Sequence, residues 1–247
     1  MKQILITGCS SGFGLEIARA FLDRPDWTVV ATMRTVREGI LPASDRLRIL
    51  PLDVTDSASI RHAVEAAGQV DVLVNNAGIG YLNALEGTSM AMVHDVFETN
   101  VFGTMAMTQA FLPQFRERRA GVIINVTSSV TLLPLPLLSV YTASKAAVNA
   151  FSEVLALELE PFDIRVRVVL PGRAPSTSFG ANARARMQAG FPEPYAKYAQ
   201  TAFANLQKEG PLTHASDVAE AVWRAATDPS CPMRLAAGAD ATALMPS

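Results

Sequence analysis

Apolar residues along the chain alternate between two textures. Short, almost unbroken β-rich runs are KQILIT (2–7), WTVVATM (27–33), LRILPLD (47–53), VDVLVNNAG (70–78), GVIINVTSS (121–129) and IRVRVVLPG (164–172). Runs of this kind suit strands buried on both faces, as parallel strands are. Between them apolar residues recur at helical spacing: from the end of the first run to Leu22, through TDSASIRHAVEAAG, over 89–118 and over 140–160, which Pro161 closes. SDVAEAVWRAAT (216–227) is a last clear helix, with Ser216 or Asp217 as its cap. Strand–helix alternation predicts βαβ units and a doubly wound α/β sheet. Residues 173–215 have an irregular pattern and form the expected substrate-binding segment. With no repeat, linker or low-complexity tract, residues 1–247 read as one domain.

In open parallel sheets, ligands bind beyond the carboxyl ends of the strands. TGCSSGFG (7–14), NNAG (75–78) and the serines of VTSS (126–129) follow the first, fourth and fifth runs, so all three belong to one rim. Gly8, Gly12 and Gly14 let a chain turn tightly and approach a phosphate, whose charge a helix N-terminus favours. A dinucleotide that carries a free ribose 2′-hydroxyl usually meets an acid about 20 residues later. TVVATMR instead ends in Arg34, with Arg37 nearby, and an arginine suits a 2′-phosphate. The expectation is NADP(H), with NAD(H) the alternative.

Composition narrows the partners. Of 247 residues, 49% are apolar and 18% charged, and the net charge of −2 gives no electrostatic case for nucleic acid or an anionic membrane. Two cysteines, Cys9 and Cys231, imply no disulfide framework and suit a reducing compartment. The opening MKQILITG reaches glycine too early for a signal peptide, and no apolar run approaches the ~18 residues that span a bilayer. A soluble, cytoplasmic protein is expected. His62, His94 and His214 are isolated, so no metal site is expected.

YTASKAAV (141–148) places Tyr141 and Lys145 one helical turn apart, on one face. A phenol of pKa about 10 needs roughly 4 kcal/mol of help to exchange protons near pH 7. A cation about 4 Å away, at an effective dielectric near 20, supplies about that much.

Together these residues resemble the classical short-chain dehydrogenases/reductases: TGCSSGFG, LDVTD (52–56), NNAG, Asn100 in FETNVFG, Ser128, YTASK and PG (171–172) occur in that family's order. The resemblance implies a Rossmann fold of about seven strands and an NADP(H)-dependent oxidoreductase that interconverts a carbonyl and an alcohol. It implies Tyr141 as general acid/base, Lys145 as its electrostatic and ribose-binding partner, and Ser128 on the substrate oxygen, with Ser129 the alternative. Asn100 would help hold a water-mediated proton relay. Gly8, Ser10, Ser11, Gly12, Phe13 and Gly14 would cradle the cofactor, with Arg34 near its ribose and Asp53 and Val54 near the adenine. Asn75, Ala77, Gly78, Pro171 and Gly172 would lie along it. Ser176 or Thr177 would meet the carboxamide, and Thr177 is the one assigned. The ending CPMRLAAGADA is similar to that of hydroxysteroid-dehydrogenase-type members and favours a dimer or monomer over a tetramer, with a homodimer the one assigned.

VTLLPLPLLSV (130–140) supplies an apolar wall before Tyr141, and Phe179, Met187, Phe191, Tyr195, Tyr198 and Phe203 populate the later segment. These either line a cleft for an apolar, medium-sized ketone or pack the segment onto the core. The other functions weighed are a 3-ketoacyl-thioester reductase and a non-catalytic dinucleotide sensor.

Overall fold

The valine-, isoleucine- and leucine-rich runs condense into one sheet in the computed structural model, which describes residues 1–187, 190–206 and 210–245. Among these residues the strands are β1 (Lys2–Ile6), β2 (Trp27–Met33), β3 (Leu47–Pro51), β4 (Val72–Asn75), β5 (Gly121–Val126), β6 (Ile164–Pro171) and β7 (Arg234–Ala237). All neighbours pair in parallel, in the order β3-β2-β1-β4-β5-β6-β7. The order reverses between β1 and β4, which opens a crevice at their carboxyl ends.

The helices are α1 (Gly12–Leu22), α2 (Ser57–Ala67), α3 (Met90–Phe97), α4 (Gly103–Arg118), α5 (Ser139–Leu159), α6 (Phe179–Ala185), α7 (Ala196–Leu206), α8 (Ala215–Thr227) and the short α9 (Ala239–Thr242). Side chains alternate across the sheet, so each apolar run feeds two cores. Ile4, Ile6, Val29, Val72, Val74 and Ile124 pack with α1 and α8. Leu5, Val30, Leu73 and Ile123 pack with α2, α4 and α5. The apolar continuity of the runs follows from this two-sided burial.

Local chemistry sets the helix ends. Asp56 caps α2 by accepting from the Ala58 N–H (2.8 Å), and Gly68, at φ +69°, ends it. In α8 the cap is His214, not Ser216 or Asp217. The Asp217 carboxylate reaches back to the His214 N–H (2.8 Å), so the helix starts one residue earlier than its pattern suggests.

Three further features differ from the pattern. The stretch 89–118 is not one regular helix: a single π-helical turn, Glu98–Phe102, joins α3 to α4. The irregular segment 173–215 contains α6 and α7. β7 escapes the pattern because it is only four residues long, against β6 alone. Among the described residues no helix is long and apolar enough to cross a membrane.

Candidate active site

The glycine loop joins β1 to α1 and is stitched to the turn after β4. Thr7 Oγ1 accepts from the N–H groups of Asn76 and Ala77 (both 2.9 Å), and Asn76 Nδ2 donates to the carbonyls of Thr7 (2.9 Å) and Gly8 (3.3 Å). This contact demands two of the three glycines. A Cβ on Gly14 would lie 2.4 Å from the Gly8 oxygen, and one on Gly8 would lie 2.9 Å from Ala77 Cα. Gly12 is different. It has φ +59° but open surroundings, with Thr177 Cβ nearest at 3.7 Å. The α1 N-cap, Ser11, makes no side-chain cap bond. The first N–H groups of α1 therefore fit an anion such as a pyrophosphate. Ser10 and Ser11 are half-buried on this loop, and Phe13 packs against the core on the α1 side.

Asn75 and Asn76 divide their work. Asn75 is buried, and its Nδ2 donates inward to Asn125 Oδ1 (2.9 Å) and Thr108 Oγ1 (3.1 Å). Asn76 ties down the loop, a role for which the second asparagine of NNAG was the only sign. Asp53 Oδ1 accepts from the Thr55 N–H and hydroxyl (2.9 and 2.8 Å), and buried Val54 packs on Gly103. Arg34 is exposed at the exit of β2. Arg186, just beyond α6, lies within electrostatic reach of Arg34 and Asp95, and burial holds its guanidinium below the usual value. Nothing in the sequence singled out Arg186. Ser176 is exposed, whereas Thr177 is half-buried against Gly12.

Ser128, Tyr141, Lys145 and Asn100 converge beyond β5. Ser128 is the serine that acts on the Tyr141 phenol, favouring its ionised form; Ser129 begins a turn of 3-10 helix. Lys145 Nζ lies 5.9 Å from the centre of the Tyr141 ring and donates to the Val126 carbonyl (3.0 Å). Tyr141 and Lys145 are each only 6% exposed. Burial pushes the phenol above its ordinary value, and Ser128 offsets this only in part. Burial also brings the Lys145 ammonium down to about 8. The phenol is thus shifted opposite to the lowering that the Tyr–Lys spacing suggests, with desolvation by burial the largest cause.

Asn100 sits in the π turn, where Oδ1 accepts from the Ile79 N–H (2.8 Å). Its Nδ2 donates to the Ile79 carbonyl (3.0 Å) and Ser144 Oγ (3.1 Å). Ser144 in turn donates to the Tyr141 carbonyl (2.7 Å). Its amide is therefore a clamp between the β4 exit and α5. A Cβ on Gly78 would come within 3.2 Å of Asn100 Oδ1 and 3.4 Å of Lys145 Nζ.

The apolar residues of the later segment separate by role. Phe179 alone of the six meets Tyr141 among the described contacts, ring centres 5.4 Å apart, and it is 40% exposed. Gly80 makes room for it: a Cβ there would lie 2.5 Å from the ring. Met187 packs against the buried cluster of Tyr81, Val96 and Val140, and Phe191 and Phe203 stack edge-on at 5.8 Å. Tyr195 hydrogen-bonds Glu86, and Tyr198 is exposed. Beside α6, Tyr81, Met92, Asn182 and Arg186 line a cavity of about 470 Å³.

Known proteins share both the sequence and the fold. The family model described as short chain dehydrogenase matches residues 2–188. The chain is 40% identical over 210 residues to a 3-ketodihydrosphingosine reductase of Bacteroides thetaiotaomicron, covering 83% of this chain and 76% of that one. A serine dehydrogenase in its closed form, complexed with NADP+, superposes with a TM-score of 0.80 at 30% identity, covering 96% of this chain and 94% of that one. A 3-ketoacyl-(acyl-carrier-protein) reductase from Brucella melitensis, complexed with NADH, gives 0.77 at 29% identity, with 95% and 96% covered.

Proposed function

This chain belongs to the short-chain dehydrogenase family of oxidoreductases, and on that premise we propose that it reduces an apolar, medium-sized ketone with NADPH, Tyr141 serving as the proton donor. The observation that carries this reading is the meeting of Ser128, the Tyr141 phenol and the Lys145 ammonium in one buried site. Two hydroxyls on one side of the crevice can both donate to a carbonyl oxygen. Burial keeps the phenol protonated, which suits giving a proton to an oxygen that gains charge. A unit charge ~6 Å away, at an effective dielectric near 20, stabilises the resulting phenolate by about 3 kcal/mol. Asn100 clamps the helix that carries both residues. A bound nicotinamide dinucleotide supplies the hydride. The glycine loop and the α1 N-terminus would hold its pyrophosphate, with Asp53, Val54, Ala77, Gly78 and the backbone of Asn75 along its length. Pro171, Gly172 and Thr177 would lie at the nicotinamide end.

Arg34, with Arg186 close by, supports a 2′-phosphate and hence NADP(H). Phe179 and the apolar 130–140 wall support a hydrophobic substrate, as does likeness to a 3-ketodihydrosphingosine reductase. We further infer a homodimer through α5. Its solvent face carries Ala143, Ala146, Ala150, Val154 and Leu157, an exposed apolar stripe with Glu158 at its end.

Nucleotide binding followed by protein fluorescence tests the cofactor: NADPH is expected to bind at least tenfold more tightly than NADH, and parity would remove the assignment. Tyr141→Phe is expected to lower turnover of hydrophobic ketones by 10³-fold or more while leaving NADPH affinity within about twofold. Wild-type turnover in that variant, or a preference for sugars across the panel, would overturn the reading.

A further inference from the structure

Behind the turn that follows β6, three segments distant in sequence meet. The Asp240 carboxylate accepts from the Arg173 N–H through Oδ2 (2.6 Å), and its Oδ1 lies 2.7 Å from Thr213 Oγ1. Thr213, only 1% exposed, receives the Gly172 N–H on its hydroxyl (2.9 Å); its own N–H donates to the Arg173 carbonyl (2.9 Å). Its single hydroxyl proton goes to Asp240 or to the Ala237 carbonyl (2.8 Å). Gly238, at φ +97°, lets Thr213 into this space: a Cβ there would lie 2.0 Å from Thr213 Oγ1. Gly172 makes the matching concession, since its Cβ would lie 2.2 Å from both Asp240 oxygens. Gly172 is not at a positive φ, so its glycine is required by the carboxylate and not by the backbone's own conformation.

From this knot the chain runs straight to the cofactor loop. Thr177 bonds back to the Ala174 carbonyl through both N–H (3.2 Å) and Oγ1 (2.9 Å), and its Cβ covers Gly12. A carboxylate that takes backbone N–H bonds in a half-buried site forms short, charge-assisted contacts. We propose that Asp240 is a positioning residue for the cofactor. It holds the Gly172–Arg173 peptide so that residues 173–177 lie against the glycine loop at Gly12. The proposal rests on the dinucleotide-binding reading above.

The test uses the full chain and NADPH as the probe. Asp240→Asn keeps the volume and one acceptor but loses the charge; its NADPH Kd is expected to rise several-fold, and that of Asp240→Ala about tenfold or more. Melting temperature without nucleotide, measured in parallel, is expected to move less than the shift that saturating NADPH produces. A cycle with Gly172→Ala separates positioning from general packing. In the native background that change forces the carboxylate aside and is expected to weaken NADPH about tenfold. Combined with Asp240→Ala it is expected to add less than twofold. An unchanged Kd in Asp240→Asn, or an equal effect of Gly172→Ala in both backgrounds, overturns the proposal. A native protein that binds neither NADPH nor NADH would instead overturn the dinucleotide reading.

Discussion

At the residue scale, Tyr141 and Lys145 display the tension between burial and charge. Burial lowers the Lys145 pKa from 10.5 to about 8, so the folded state disfavours the ammonium. A group with a depressed cationic pKa destabilises the fold in full below that pKa. As pH rises from about 8 towards 10.5 the folded chain sheds the proton before the unfolded chain does, and stability increases. Lys145→Met removes a burial cost of about 3 kcal/mol and loses a charged bond to Val126 worth about 2 kcal/mol. The variant is expected to be about 1 kcal/mol more stable than the native chain at pH 7 by denaturant melts, yet inactive. Turnover of the native protein is expected to fall as pH passes about 8. The pairing of Tyr141 with Lys145 was legible from spacing alone, since four residues make a helical turn. The direction of the phenol shift was not, because desolvation depends on residues folded over the site from other elements. Asn75 and Asn76 make the same point. They are adjacent and identical, and only the pleat of β4 decides which faces the core and which ties the glycine loop.

At the element scale, the β1–α1 turn is a joint, bonded to the turn after β4, as well as the proposed seat of a phosphate. Gly14 is buried in α1 against the Gly8 carbonyl and Asn76, so a methyl group there has nowhere to go. Gly14→Ala is expected to destabilise the protein by ~2 kcal/mol or more and to weaken NADPH, read by thermal melts with and without nucleotide. Glycine spacing pointed to this turn; the backbone oxygen that makes Gly14 necessary comes into view only when α1 doubles back. The π turn between α3 and α4 was invisible to the pattern. A π turn shifts the apolar register by about one residue, too small a break to stand out within 89–118, and such turns recur at functional sites. Here it carries Asn100 to the Ile79 backbone.

At the scale of the molecule, helices cover both faces of the sheet, and α5 keeps an exposed apolar stripe, on which the proposed dimer rests. Alanines at 143, 146 and 150 would let a second α5 approach closely, and Val154 and Leu157 are 57% and 70% exposed. Light scattering is expected to give twice the chain mass for the native protein and the single mass for Val154→Asp, with the melting temperature lowered. A monomeric native protein would remove the dimer.

Periodicity and residue type alone determined the parallel sheet, the rim on which the glycine loop, NNAG and VTSS lie, and the Tyr141–Lys145 pair. These follow from local repeat and chain order, which every parallel α/β sheet obeys. Ser128 and Thr177 are residues the sequence already singles out; tertiary structure alone decided that Thr177 lies against Gly12 and that Phe179 rather than its aromatic neighbours meets Tyr141. It also brought Asp240 to Gly172, residues that sequence order holds far apart. Each of these depends on which side chains share a space after the chain has crossed the sheet, and no local pattern records that.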